Sequence, residues 1–371
     1  MAVEKINIMD MDLGVATICL KTTLTLYTIG YLITGGFTHI LTLGVVSIAV
    51  ITCLLYVIRV PRPPNSAVEK IIGPDPFITE HDDVITTIAH RGAGLDAPEN
   101  SLEAFRQCHT KGVDFIEFDV TLTADYVPIV FHDDSLERMT GIHELVRDKT
   151  YKELEMLDIS VHHPYKEDFP NTKIPTLDET IECLLENNQK MFIDIKDNNP
   201  HIVDVILSAY ERCPILYEKA ITTSFFPNII YMIRKRNPKI VCSLAWRPHS
   251  FTSASYSYTQ GLGERMHSSF HMHIIYCLLD WLHETLFMTV THYILGLSFV
   301  LLHKDAISGR VVHEWREKGV RVIAWTVNLP LEKRYFSRVL KITYMTDTLI
   351  RESQEPSLER SITDHLLGET N

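Results

Sequence analysis

Short apolar runs alternate with helical patterns along most of the chain. Runs of strand length stand at 85–89, 115–120, 191–195, 219–224, 240–245, 298–302, 321–326 and 343–346. Between them lie helix-period positions such as Leu102, Phe105 and Cys108, behind the start signal Pro98-Glu99-Asn100-Ser101, and Ile181, Leu184 and Leu185 in the next unit. Alternating strand and helix patterns predict a parallel sheet. One more run, Val127-Pro128-Ile129-Val130-Phe131, follows Thr123 too closely for a parallel crossover, which takes a dozen or more residues. It should pair antiparallel or lie in the loop after the second strand. Eight strands remain, the number that closes an α/β (β/α)₈ TIM barrel with its catalytic groups on the loops of one rim.

The barrel is expected over 84–350, with additions at both ends. From Thr22 to Ile58 the chain has 37 residues without Asp, Glu, Lys or Arg, whereas a membrane span needs only about 20. Residues 1–60 are therefore read as an N-terminal transmembrane anchor. Gly35 and Gly36 leave open one span or a helical pair. Pro61, Arg62, Pro63 and Pro64 open a stiff linker over 61–83, and 351–371 forms a polar tail. An insertion at 246–297 carries Ile275, Leu278, Leu279, Leu282, Leu286 and Val290 on one helical face, with Asp280, His283, Glu284, Phe287 and Thr291 on another. It is expected to lie on the membrane surface. A crossing there would put Trp325 and the last strands on the far side from His90, and a barrel cannot close through lipid with unpaired backbone edges.

Composition narrows the field. The net charge of -12 argues against a nucleic-acid partner, since backbone binding relies on clustered Lys and Arg. Seven cysteines without CxxC or His-paired spacing give neither a disulfide framework nor a zinc site.

Five short motifs at predicted strand ends carry the candidate chemistry. His90-Arg91-Gly92 offers an imidazole that exchanges protons near neutrality and a guanidinium that can grip phosphate. Glu117 and Asp119, at i and i+2 of one strand, point the same way, and two buried anions need a cation. Their hard oxygens suit Mg²⁺ or Ca²⁺. Asp194 and Lys196 form a second same-face pair, able to add a metal oxygen and an ammonium for phosphate. His132-Asp133 supplies a second proton carrier, and Trp325 could wall the site. Each motif alone has a plainer reading, as an exposed dipeptide, a structural ion pair or a core indole. Five together at the strand ends of one barrel do not.

HRGAGLDAPENS, FIEFDVTLTADYVPIVFHDDSLERMTG, IPTLDE, FIDIK, WTVN and a late Thr346-Asp347 together resemble the glycerophosphodiester phosphodiesterase family, in particular its membrane-anchored animal members. The resemblance covers roughly 84–350. It implies a barrel of the phospholipase-C-like phosphodiesterase type and metal ligation by Glu117, Asp119 and Asp194. It also implies acid/base work by His90 and His132, and substrate contacts from Arg91 and Lys196. The reaction implied is metal-dependent cleavage of glycerophospho-alcohols, such as glycerophosphoinositol or glycerophospho-N-acylethanolamine, to glycerol 3-phosphate and an alcohol. Lysophospholipase D action on intact lysolipids and a catalytically inactive membrane scaffold are the alternatives. The chain departs from the family pattern in having Asp194 where many members carry Glu, Tyr126 in place of a turn glycine, and no proline after Asp347. The expected location is the plasma membrane or an endomembrane. Arg59, Arg62 and Lys70 favour a cytosolic barrel by the positive-inside tendency, whereas the resemblance favours a lumenal or extracellular one.

Overall fold

The structure, a computed structural model, describes residues 8–34, 38–77, 85–257 and 261–349. The strands are β1 (Thr87–Ala89), β2 (Phe115–Leu122), β3 (Pro128–Val130), β4 (Lys190–Ile195), β5 (Ala220–Ser224), β6 (Ser243–Trp246), β7 (Tyr256–Ser257), β8 (Gly261–Leu262), β9 (Phe299–His303), β10 (Arg321–Trp325) and β11 (Thr343–Thr346). Eight of them run parallel in the order β5-β4-β2-β1-β11-β10-β9-β6. A single parallel bridge between Thr222 and Cys242 brings the two edge strands together, with Thr222 N–H donating to Val241 O at 3.0 Å. The eight predicted runs become these eight strands. β3 pairs antiparallel with β2, as its short spacing required. The turn between them keeps a left-handed residue although glycine is missing: Tyr126 sits at φ 61°, its ring edge-on to His201.

Strand alternation sorts the core into two layers. Ile116, Phe118 and Val120 of β2 face the surrounding helices, while Phe115 joins Ile88, Phe192, Ile221, Phe299 and Ile323 inside the barrel. The inward face of β2 then continues from Phe115 to Glu117 and Asp119, and that of β4 from Phe192 to Asp194. The filling thus changes from hydrocarbon to carboxylate toward the C-terminal rim. At the other end, α3 (Asn65–Ile72) lies within the segment expected as linker. Its Val68 and Ile71, one helical turn apart, are buried against the same interior cluster.

Two further helices precede α3. α1 (Ile8–Thr34) packs against α2 (Thr38–Ile58), one of the two arrangements that Gly35 and Gly36 left open. Among the described residues, no helix is long and apolar enough to cross a membrane. The side chains of residues 8–16, 33–34 and 38–41 lie outside the described ones. The chain leaving α2 is fastened to the barrel: Val60 N–H donates to Ile294 O at 2.8 Å and Arg62 to Gly319 O at 2.6 Å.

The 246–297 insertion contains a helix, Phe270–Leu286, that turns its polar face inward. Asp280 accepts from the backbone of Phe251 and Thr252 at 2.9 and 3.1 Å, and Phe287 stacks on Trp246 at 5.4 Å. Ile275, Leu278, Leu279, Leu282 and Leu286 are all exposed.

Candidate active site

The C-terminal rim gathers most of the residues expected there. Asp119 and Asp194 are register partners on adjacent strands, and Glu117 lies one step deeper on β2. One oxygen of each lies within 4.8 Å of the others, and all three residues are buried. Asp194 Oδ1 is buried with no hydrogen-bond partner. Three hard oxygens, one of them unsatisfied, fit a divalent cation such as Mg²⁺ or Ca²⁺. Burial pushes the Glu117 carboxyl well above the usual range, and Asp119 and Asp194 add to the shift. For Asp119 burial works in the same sense, but Lys196 and Arg91, then His132 and His90, outweigh it and hold this carboxyl far below the usual range.

Two cations enclose the acids. Lys196 Nζ lies 2.5 Å from Asp194 and 3.1 Å from Asp119. Burial disfavours its ammonium, but Asp119, Asp194 and Glu117 prevail and raise its pKa. Arg91 follows β1 at φ 52°. Its backbone N–H donates to Glu117 at 2.8 Å and its guanidinium reaches Asp119 at 3.2 Å and Glu99 at 3.0 Å. Gly92 beside it admits no side chain, since an added Cβ would sit 2.8 Å from Phe105 and 2.9 Å from Ala104.

Each histidine is held by its own carboxylate. His90 Nδ1 lies 2.5 Å from Asp347 Oδ1, with Nε2 on the side of Glu117 at 3.9 Å. Asp347 in turn accepts from Asn328 Nδ2 at 2.7 Å and donates its backbone N–H to Asn328 Oδ1 at 2.8 Å. Burial would raise the Asp347 carboxyl, but the hydrogen bond and charge of His90 hold it down. His132 Nδ1 lies 2.6 Å from Asp133, whose other oxygen accepts from Arg138 at 2.6 Å. Because a carboxylate only accepts, Nδ1 carries a proton in both rings, which leaves Nε2 as the atom that takes up or gives up a proton.

Sequence reasoning did not assign roles to Glu99, Asn100, Arg138 or Asn328. Glu99 joins Arg91 to Arg138, accepting from the latter at 2.6 and 2.9 Å. Asn100, at φ 57°, donates to Asp119 at 2.7 Å and accepts its backbone N–H at 3.1 Å. Both stand in the stretch read as a helix start. Ser101 alone serves as cap, accepting from Ala104 N–H at 3.1 Å. Trp325 stands one ring further out, 5.6 Å from Phe225, whose ring lies 5.5 Å from Lys196 Nζ. Next to Lys196 opens a cavity of about 390 Å³ lined by Thr121, Thr123, Tyr126, Arg147, Asn198 and Phe226 among others.

A sequence profile of the Glycerophosphoryl diester phosphodiesterase family matches residues 90–350. The chain belongs to that family. It is similar to bovine Glycerophosphodiester phosphodiesterase 1, with 36% identity over 270 residues, 73% of this chain and 80% of the relative. The human protein of the same name is 33% identical over 272 residues, with the same shares covered. Among solved structures, a putative glycerophosphoryl diester phosphodiesterase from Silicibacter pomeroyi aligns with a TM-score of 0.56 and 22% identity, covering 74% of this chain and 93% of that one. That likeness confirms the barrel. The family member described here is thus an enzyme, a phosphoric diester hydrolase with glycerophosphodiester phosphodiesterase activity, and its acidic cluster has the makings of a metal site.

Proposed function

We propose that the enzyme hydrolyses glycerophospho-alcohols to glycerol 3-phosphate and a free alcohol, with His90 and His132 as its proton carriers. The carrying observation is that two imidazoles, each tied through Nδ1 to a carboxylate, stand beside one buried acidic triad. A glycerol hydroxyl attacks phosphorus and gives its proton to one free Nε2 while the other imidazolium protonates the departing alkoxide. Water then opens the cyclic phosphate with the roles reversed. Arg91 and Lys196 sit where they can meet the phosphate oxygens. Glu117, Asp119 and Asp194 would hold Mg²⁺ or Ca²⁺, which supplies charge neutralisation as phosphorus gains electron density. The adjoining cavity has polar walls suited to a polyol such as inositol, and Trp325 would wall the site from the other side of Phe225.

Membrane attachment through residues 1–60 and the insertion completes this reading. It is supported by exposed Leu24, Ile29, Leu32, Ile48, Ile51 and Leu54 on α1 and α2, and by the apolar outward face of the Phe270–Leu286 helix. A bilayer at that face would hold the barrel at the surface from which lipid-derived substrates come. The test is an assay of purified full-length protein on glycerophosphoinositol and on lysophosphatidylcholine, each with Mg²⁺, Ca²⁺ or EDTA. Glycerol 3-phosphate from the first substrate supports the reading. Turnover of lysophosphatidylcholine alone would replace it with lysophospholipase D action.

A further inference from the structure

The opposite end of the barrel carries a second cationic cavity that the chemistry above does not use. Its volume is about 310 Å³, at the lower end for small-molecule pockets. Lys190, Arg316, Arg321 and Lys341 line it, together with Ile72 and Gly73 at the end of α3, and Asp75 is the one carboxylate in the lining among the described residues. Asp75 lies 3.7 Å from Arg316, and Arg321 donates to Gly73 O at 2.7 Å. Neither ammonium, Lys190 nor Lys341, has a hydrogen-bond or ion-pair partner among the described residues. Asp114 acts on Lys190 and Glu69 on Arg321 from beyond ion-pair distance. Four cations against one lining anion is an unusual balance in a chain of net charge -12. Burial lowers the pKa of Lys190, Arg316 and Arg321 and outweighs the pull of Asp114, Asp75 and Glu69, so a counter-ion here would relieve the rest of a desolvation cost.

We propose that this cavity is a binding site for a phosphate group, remote from the catalytic rim. Three-donor ammoniums and forked guanidiniums converging on one concave surface suit the several acceptor oxygens of a phosphate. The phosphate can come from a soluble phosphate ester or from a lipid headgroup. The second source is near at hand, because the chain leaving α2 is tied down at this same end through Arg62 and Gly319.

The test compares wild type with the double variant Lys190→Gln/Lys341→Gln, both full length and in detergent micelles. Calorimetric titration with inorganic phosphate should reveal two sites in wild type. The double variant should keep the catalytic one, with turnover and its inhibition by phosphate unchanged, and bind the other at least about tenfold more weakly, as expected on losing charge-assisted contacts. Micelles doped with phosphatidate form the second arm. Tighter binding than inorganic phosphate, lost in the double variant, assigns the site to a lipid headgroup, and equal binding assigns it to a soluble ester. A single phosphate site in wild type, or two sites unaltered in the double variant, would overturn the proposal. Lys341→Gln alone carries the same expectation if the double variant does not fold.

Discussion

Asp347 meets His90 at 2.5 Å although 257 positions separate them in the chain. The pairing of β11 with β1 brings them together, and Asn328 fixes which oxygen faces the ring. Asn328 Oδ1 accepts the Asp347 N–H, so its amide must donate to Asp347 Oδ2. In Asp347→Asn the oxygen would stay toward Asn328 and the new amide would face His90 Nδ1. That would drive the imidazole proton to Nε2, where it blocks the lone pair. We expect kcat to fall by about 10²-fold or more with little change in KM, measured by steady-state release of glycerol 3-phosphate.

Glu99 should matter without touching the reacting atoms. Its carboxylate neutralises both Arg91 and Arg138; burial would raise it, but the hydrogen bonding of Arg138 and the charges of Arg91 and Arg138 hold it below the usual carboxylate range. Glu99→Gln leaves two guanidiniums facing a neutral amide, which frees Arg138 from its bidentate grip and loosens Asp133 behind His132. Activity is expected to drop about tenfold. Arg138→Lys, keeping charge but not the fork, should fall between wild type and Arg138→Ala.

Chelation should silence the enzyme, because Glu117, Asp119 and Asp194 crowd three oxygens within 4.8 Å. Activity in EDTA should return on adding excess Mg²⁺ or Ca²⁺, and Glu117→Gln should need more cation for half-maximal rate. Full activity in EDTA, together with an unaffected Glu117→Gln, would leave the acids a purely structural role.

Much of this could be read from the chain. Strand length, the i,i+2 carboxylates and the three-residue gap before Val127 are local patterns, and they yielded the eight barrel strands, the antiparallel β3 and the inward acids. What escaped depends on tertiary contact. Glu99 and Asn100 look like an ordinary helix start, since nothing local says that Arg138 and Asp119 will meet them. α3 was hidden behind prolines that suggest an extended linker. Its two buried apolar residues, Val68 and Ile71, are too few to give a periodic signal.

His292 offers a pH test independent of the active site. It is 8% exposed, packs edge-on against Trp315 at 5.4 Å and has its Nδ1 buried without a partner. Burial, then Lys318 and Arg62, lower its pKa to about 4. An unfolded histidine titrates near 6.5. The unfolded chain therefore takes up a proton that the fold refuses, so this contribution to stability is complete above about pH 6.5 and is lost as pH falls toward 4. Thermal unfolding of wild type and His292→Phe across pH 4–7 should show the wild type losing more on acidification. Parallel profiles would mean that the folded imidazole takes up its proton as readily as the unfolded one.

Kinetics of His90→Ala, His132→Ala and the double variant show whether two carboxylate-held histidines share the proton transfers. With glycerophosphoinositol and saturating Mg²⁺, each single variant should lose about 10²-fold to 10⁴-fold in kcat/KM while keeping its thermal unfolding midpoint. The double variant should be scarcely worse than either single one, as groups acting in one step are not additive. A folded His90→Ala or His132→Ala enzyme with near wild-type turnover would contradict the account.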